Sequence, residues 1–188
     1  MTAILEDLPA TTQMPIFPER FNLAEYYLDR RIAEGRGDRV AIIVGDQEFT
    51  YADVQAQANR ASDTLRKHGV AKEQRVLLLL FDGIAFAEAW FGTLKAGAVF
   101  CMANPLGTEE DIRYLLEYTG CTAVVADASI VQRVHAAAPD RCVARFAVGA
   151  VETERGELPD GWMSWEQALA DADDSTRNVD TGRDDIAG

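Results

Sequence analysis

The stretch Val76-Leu77-Leu78-Leu79-Leu80 decides the fold class of this 188-residue chain. It is an unbroken apolar run of strand length, which is typical of a strand covered by helices on both faces of a parallel sheet. Before it, apolar residues recur at helical spacing over residues 50–69, and after it residues 84–96 are apolar around nearly the whole helix circumference. The run therefore predicts a buried central strand between two packed helices.

The alternation of strand and helix continues towards the carboxyl terminus. Strands are predicted over residues 98–102, 123–126 and 143–148, with helices between them that start at the cap residue Thr108 and at Ile130. Spacings of roughly 20–25 residues are typical of right-handed crossovers in a mostly parallel sheet. We therefore expect an α/β fold, in which residues 98–102 form a second buried strand and a short helix lies near residues 165–169.

The amino-terminal part is predicted to contain a helix and a hairpin. Asn22 can cap a helix through about Glu34, and Leu23, Tyr26, Tyr27 and Ile32 would form its apolar stripe. Residues 40–44 form a strand pattern, and Gly45-Asp46 is a tight turn into a partner strand. We expect this hairpin at a sheet edge.

Length and composition indicate one domain with two poorly patterned ends. The chain can bury one core and is too short for two ordinary domains. We divide it into a leader (1–20), an α/β subdomain (21–170) and an acidic linker (171–188), since the last eighteen residues carry six Asp against two Arg.

Charge and cysteine content argue against several classes of partner. Thirty-one acidic and eighteen basic residues leave a net charge of −13, which repels nucleic acid and anionic lipid. The three cysteines, Cys101, Cys121 and Cys142, show neither a disulfide pattern nor zinc-ligand spacing. With no signal-peptide pattern and no apolar run of transmembrane length, we expect a cytoplasmic protein without nucleic-acid or membrane partners.

Individual residues provide no catalytic, cofactor-binding or metal-binding set, so we assign none. Gly35-Arg36-Gly37 precedes a strand and lacks a third glycine, so it indicates a turn. His68 and His135 have no second ligand nearby, the cysteines suit a core, and the aromatic residues of 84–96 suit packing. The acidic groups at 109–111 and 184–185 fit a helix start and a polar tail.

Two motifs resemble the adenylate-forming superfamily of acyl-CoA synthetases, luciferases and peptide-synthetase adenylation domains. Phe49-Thr50-Tyr51-Ala52-Asp53-Val54 resembles its T-Y-x-E-L segment, and Leu94-Lys95-Ala96-Gly97-Ala98 its L-K-A-G-A segment. Asn104-Pro105 and Val124-Val125-Ala126-Asp127 follow in the family's order. The opening at 21–38 resembles benzoate-CoA and 4-hydroxybenzoate-CoA ligases most, although Phe81 and the strand residues 100–102 depart from the usual pattern.

The resemblance implies an acid-thiol ligase that makes acyl-CoA from a carboxylic acid, ATP and CoA through an acyl-adenylate, with Mg²⁺. Thr181-Gly182-Arg183-Asp184-Asp185-Ile186-Ala187 resembles the run-up to the family's phosphate loop, so we expect the sequence to stop just before it. This chain alone would then be an inactive scaffold that binds no cofactor tightly. Its partners would be the remainder of the ligase chain, a small aromatic acid in the parent enzyme, and further copies of itself through an exposed apolar face.

Two alternatives remain open at this stage. The chain can instead be a non-catalytic binding or interaction module on the same scaffold, which a soluble monomer without an apolar patch would favour. A small-molecule site at the carboxyl edge of the sheet has only the general rule for open α/β sheets behind it.

Overall fold

A computed structural model describes residues 17–138, 141–150 and 158–188, so sixteen residues of the predicted leader lie outside it. The described residues contain seven strands: β1 (Val40–Val44), β2 (Gln47–Thr50), β3 (Arg75–Leu79), β4 (Val99–Met102), β5 (Ala123–Asp127), β6 (Ala144–Val148) and β7 (Met163–Ser164). Five of them form a parallel sheet in the order β4-β3-β5-β6-β7. The predicted α/β class and parallel sheet are therefore confirmed.

Helices cover both faces of this sheet. They are α1 (Arg30–Ala33), α2 (Tyr51–Lys67), α3 (Ile84–Lys95), α4 (Glu109–Thr119), α5 (Val131–Ala137) and α6 (Trp165–Ala170). Leu65, Ala89 and Trp165 place α2, α3 and α6 on one face, while Ile112 and Val134 place α4 and α5 on the other. Side chains of the central strands therefore enter two separate apolar layers.

The predicted central strand is confirmed. Strand β3 lies between β4 and β5, and its side chains alternate between the two layers. Leu78 packs in the α2-α3-α6 layer, whereas Leu77 and Leu79 pack in the α4-α5 layer. Because both faces are covered, every position from Val76 to Leu79 is apolar and buried.

Strand β4 is not the second fully buried strand that the sequence predicts. It lies at the edge of the five-stranded sheet, and Met102 at its end is 57% exposed. The crossover through α3 returns beside β3, and no strand of the described residues pairs with the outer side of β4. On that side the Phe100 N–H donates to the Ala187 carbonyl at 2.9 Å.

The predicted hairpin is present, but it is not an edge of the main sheet. Strands β1 and β2 form their own antiparallel two-stranded sheet. Ile42 and Phe49 of the hairpin pack against a small cluster formed by Leu28, Val54 and Ala58. The hairpin is therefore held by side-chain packing on α2 and the amino-terminal helix, which a strand pattern alone does not specify.

The amino-terminal helix begins as predicted and then departs from α-helical geometry. The Asn22 Oδ1 accepts hydrogen bonds from the Ala24 and Glu25 N–H groups, as a cap does. A π-helical turn, Glu25–Asp29, precedes α1 and shifts the side chains around the axis. The predicted stripe is wrong in part, because Leu28 is buried and Tyr27 is exposed.

Candidate functional site

The carboxyl edge of the sheet is the first candidate site. From β3 the chain passes to β4 on one side, and then crosses back to β5 on the other side of β3. The carboxyl ends of β3 and β5 therefore form the switch point at which open α/β sheets bind ligands. Asp82 follows β3, and Asp127 ends β5 with its carboxylate accepting from the Ser129 N–H at 2.9 Å. Asp127 thus caps the turn that follows β5.

Three apolar side chains are exposed at this edge, and we call them the carboxyl-edge residues: Phe81, Met102 and Leu106. They are 45%, 57% and 71% exposed and belong to the segments that follow or end β3 and β4. Exposed apolar residues on neighbouring segments indicate a surface that another polypeptide segment covers.

A buried ion pair lies at the other end of α3, and we call its four members the Lys95 cluster: Lys95, Asp29, Asn178 and Gln55. The Lys95 Nζ donates to both Asp29 oxygens, at 2.6 and 2.8 Å, and to the Asn178 Oδ1 at 3.0 Å. Asn178 and Gln55 also donate to Asp29, at 2.8 and 2.7 Å. The Lys95 side chain is only 2% exposed, and this burial lowers its pKa while the contact with Asp29 opposes that change.

The Lys95 cluster holds the segment near the carboxyl terminus against α3. Next to Asn178, the Val179 N–H donates to the Lys95 carbonyl at 2.8 Å. Further along, the Phe21 N–H donates to the Thr181 carbonyl at 2.9 Å, and the Thr181 hydroxyl donates to the Phe21 carbonyl at 2.7 Å. The segment is therefore tied to both the amino-terminal helix and the end of α3.

A second buried ionisable group, Glu88, lies in the middle of α3. The Trp165 Nε1–H donates to its carboxylate at 3.3 Å, and burial raises the pKa of Glu88. Glu166 adds to this rise through its negative charge. A single buried carboxyl held by an indole is a structural arrangement, since no nucleophile or base among the described residues contacts it.

The residues singled out in the sequence are dispersed over the fold. His68 Nδ1 lies 2.8 Å from the Thr64 carbonyl, and His135 Nδ1 accepts from the Trp162 indole at 3.3 Å. The glycines of 35–37 end α1 and start the hairpin, while the aromatic residues of 84–96 pack against the cores. Asp111 caps α4, and Asp185 pairs with Lys72 at 2.7 Å.

Neither a metal cluster nor a membrane span is found in the described part of the chain. No three His, Cys, Asp or Glu side chains come together there in a way that could hold a metal ion. None of the helices described is long and apolar enough to cross a membrane. Of the acidic groups at 109–111 and 184–185, Asp111 belongs to the capping box of α4 and Asp185 pairs with Lys72. These residues therefore do not fit a Mg²⁺ site.

Sequence reasoning did not find the Lys95 cluster. Its members come from four separate segments of the chain. The one local sign of it in the sequence is the presence of ionisable residues in the apolar helix α3. Lys95 and Glu88 are the two ionisable residues in an otherwise apolar helix, and each has a buried polar partner.

Comparison with known proteins places these features in a family. A family model described as AMP-binding enzyme matches residues 29–188. The chain is 32% identical over 113 residues to the 3-hydroxybenzoate-CoA/4-hydroxybenzoate-CoA ligase of Thauera aromatica, covering 60% of the chain and 22% of that relative. It is 34% identical over 119 residues to a medium/long-chain-fatty-acid-CoA/3-oxocholest-4-en-26-oate-CoA ligase of Mycobacterium tuberculosis, covering 63% of the chain and 21% of that relative.

The fold is shared with a solved ligase. The crystal structure of a benzoate CoA ligase from Burkholderia xenovorans LB400 matches 89% of the chain with a TM-score of 0.72 and 30% identity, and the chain covers 32% of that structure. The chain thus spans about a fifth to a third of the length of these proteins. Since the family model covers most of its residues, the chain belongs to the AMP-binding enzyme family.

Proposed function

We propose that this chain is the amino-terminal scaffold part of an AMP-forming aryl-CoA ligase of the benzoate type. The whole protein would join a carboxylic acid to CoA, using ATP and Mg²⁺. In the proposed reaction the carboxylate attacks the α-phosphate and pyrophosphate leaves, and the CoA thiol then attacks the acyl carbon of the acyl-adenylate and AMP leaves. The observation that carries this proposal is the family match over residues 29–188.

The proposed scaffold role is supported by the contacts of the buried charged side chains and by the exposed carboxyl-edge residues. Among the described residues, the buried charged side chains of Lys95 and Glu88 are occupied by structural partners. The carboxyl-edge residues are exposed, as expected of a surface that packs against the remainder of the ligase. ATP, Mg²⁺ and the acid are therefore assigned to a site completed by that remainder, with residues of this chain supporting it.

The proposal also assigns an aromatic carboxylic acid as the substrate of the whole ligase. It is supported by the similarity to a hydroxybenzoate-CoA ligase and by the fold shared with a benzoate CoA ligase at 30% identity. Because a fatty-acid and steroid-acid ligase is similarly related, an aliphatic or steroid acid is the competing substrate class. A panel of acids separates these classes directly.

The test is ATP–pyrophosphate exchange with benzoate, hydroxybenzoates and aliphatic acids. We expect no exchange by this chain alone. Exchange with benzoate should appear when the chain replaces the matching third of the Burkholderia xenovorans benzoate CoA ligase in one polypeptide, which tests the scaffold role, whereas the substrate class is tested with the same acids on the whole ligase that contains this chain. The remaining part of that ligase without the chain serves as the inactive control.

Two outcomes would contradict the proposal. Exchange by the chain alone would show that it is not merely a scaffold. A joined protein that unfolds cooperatively, and hence is folded, but shows no exchange with any acid would favour the alternative of a non-catalytic interaction module.

Sedimentation of the chain alone also tests the proposed self-association through the carboxyl-edge residues, and cell fractionation tests the proposed cytoplasmic location.

A further inference from the structure

Two of the three cysteines lie side by side in the fold, although 21 positions separate them in the sequence. Strands β5 and β6 pair in parallel with Ala123 opposite Ala144, and extending this register two residues before the start of each strand places Cys121 opposite Cys142. The Ala144 N–H donates to the Thr122 carbonyl at 3.3 Å, so the pairing continues to this end of the strands. At the same strand ends the Cys142 S–H donates to the Ala144 carbonyl, with 3.9 Å between sulfur and oxygen.

Burial and charge distinguish this pair from ordinary core cysteines. Both side chains are buried in the α4-α5 layer. Arg141, which precedes Cys142, donates to the Leu116 and Glu117 carbonyls at 3.0 and 3.1 Å, and its positive charge favours the Cys121 thiolate. The neighbouring Cys142 thiol lowers the pKa of Cys121, while Cys121 and burial raise the pKa of Cys142. One thiol of the pair is therefore suited to ionise first and the other to stay protonated.

We propose that Cys121 and Cys142 form an oxidisable dithiol that closes to a disulfide between the amino ends of β5 and β6 when a hydroperoxide reacts with it. The third cysteine, Cys101, lies on edge strand β4 opposite Leu77, so it has no thiol partner across the sheet. This assignment does not depend on the proposed ligase function, because it rests on the strand register and on the burial of both thiols in one apolar layer.

The oxidation balances with hydrogen peroxide as the only co-reactant. The Cys121 thiolate attacks one peroxide oxygen and the O–O bond breaks. The other oxygen departs as water, and Cys121 becomes a sulfenic acid. The Cys142 sulfur then attacks the Cys121 sulfur, the S–S bond forms, and a second water leaves. The two cysteines together lose two protons and two electrons, and the peroxide gains them.

The reaction should be slower than that of an exposed thiol, because the peroxide must reach a buried pair. Gly120, immediately before Cys121, has φ +57°, and Val143, immediately after Cys142, is exposed. A local opening of these few residues is sufficient to admit a small oxidant.

The experiment is peroxide treatment of the native chain, followed by alkylation of the remaining thiols and non-reducing peptide mass spectrometry. Trypsin cleaves after Lys and Arg, which places Cys101, Cys121 and Cys142 on separate peptides, 96–113, 114–133 and 142–145. We expect peptides 114–133 and 142–145 to be recovered linked, with Cys101 alkylated. Dithiothreitol should release both peptides in reduced form.

Matched variants make the result specific. Cys101→Ser should retain the link in full, whereas Cys121→Ser and Cys142→Ser should lose it completely. The urea-unfolded chain, in which all three thiols are accessible, measures the reactivity of unprotected cysteines under the same conditions. The proposal is overturned if the native pair stays reduced while the unfolded chain is oxidised, or if the native chain links through Cys101 instead.

Discussion

Replacing Lys95 by Met should destabilise the chain because it removes one partner of a buried ion pair. Met retains most of the aliphatic stem that packs in α3 but cannot donate to Asp29 or to Asn178. The Asp29 carboxylate would then keep two amide donors, from Gln55 and Asn178, and no positive charge. The change therefore leaves a partly buried charge without its counter-ion.

The size of the effect follows from the exposure of the two groups. Breaking a buried pair by removing one partner costs about 3–5 kcal/mol in free energy of unfolding. The Lys95 side chain is 2% exposed but Asp29 is 20% exposed, and water together with the two amides reduces the cost to Asp29. We expect a loss of about 3 kcal/mol, at the lower end of that range.

Urea unfolding followed by tryptophan fluorescence measures this loss. The control is Lys67→Met, which breaks a surface pair with Asp63 at 2.7 Å, in which the lysine is 55% exposed, and which should cost about 0.5 kcal/mol or less. The double variant Lys95→Met/Asp29→Asn removes both charges and should recover much of the loss. Equal losses for Lys95→Met and Lys67→Met would refute the reasoning, since the buried pair would then behave as a surface pair.

Two further predictions concern the packing and ionisation of α3. Gly92→Ala should lower the free energy of unfolding by about 1–3 kcal/mol despite the better helix propensity of alanine, because the new Cβ would lie 2.4 Å from the Ala61 Cβ on α2. Gly83→Ala, where an added Cβ meets nothing within 4 Å, is its matched control in thermal unfolding, and similar midpoints for the two variants would contradict the predicted clash. Burial raises the pKa of Glu88 above its ordinary 4.5, so the folded state holds this proton more tightly and stability falls as pH rises through the raised pKa. Glu88→Gln removes this titratable group, so as pH rises above 4.5 the variant should lose less stability than the wild type, and parallel pH profiles would contradict the assignment.

Local patterns predicted the helices and strands well because their causes are local. Thr50 and Thr108 each form a capping box with an Asp three residues later, and α2 and α4 begin directly after them. The apolar run of β3 and the all-apolar helix α3 indicated a strand and a helix buried on all sides. The core role expected of the cysteines also follows from residue type and neighbours.

The errors arose where a pattern does not say what lies next to an element. An edge strand and a central strand can have similar apolar residues, so the exposure of β4 could not be predicted from its sequence. The π-helical turn before α1 shifted the buried face from Tyr27 to Leu28, which a regular period of 3.6 does not anticipate. No residue pattern placed the hairpin outside the main sheet.

By itself, the sequence determined the α/β class, the capped helices, the central strand and the family resemblance, because each depends on residues that are near one another in the chain. Only the tertiary structure decided the partners of Lys95 and the pairing of Cys121 with Cys142. Lys95 meets Asp29 and Asn178 across 66 and 83 positions, and the cysteines meet through the register of two parallel strands. Contacts of this kind depend on how elements are arranged in space, and short-range periodicity carries no information about that arrangement.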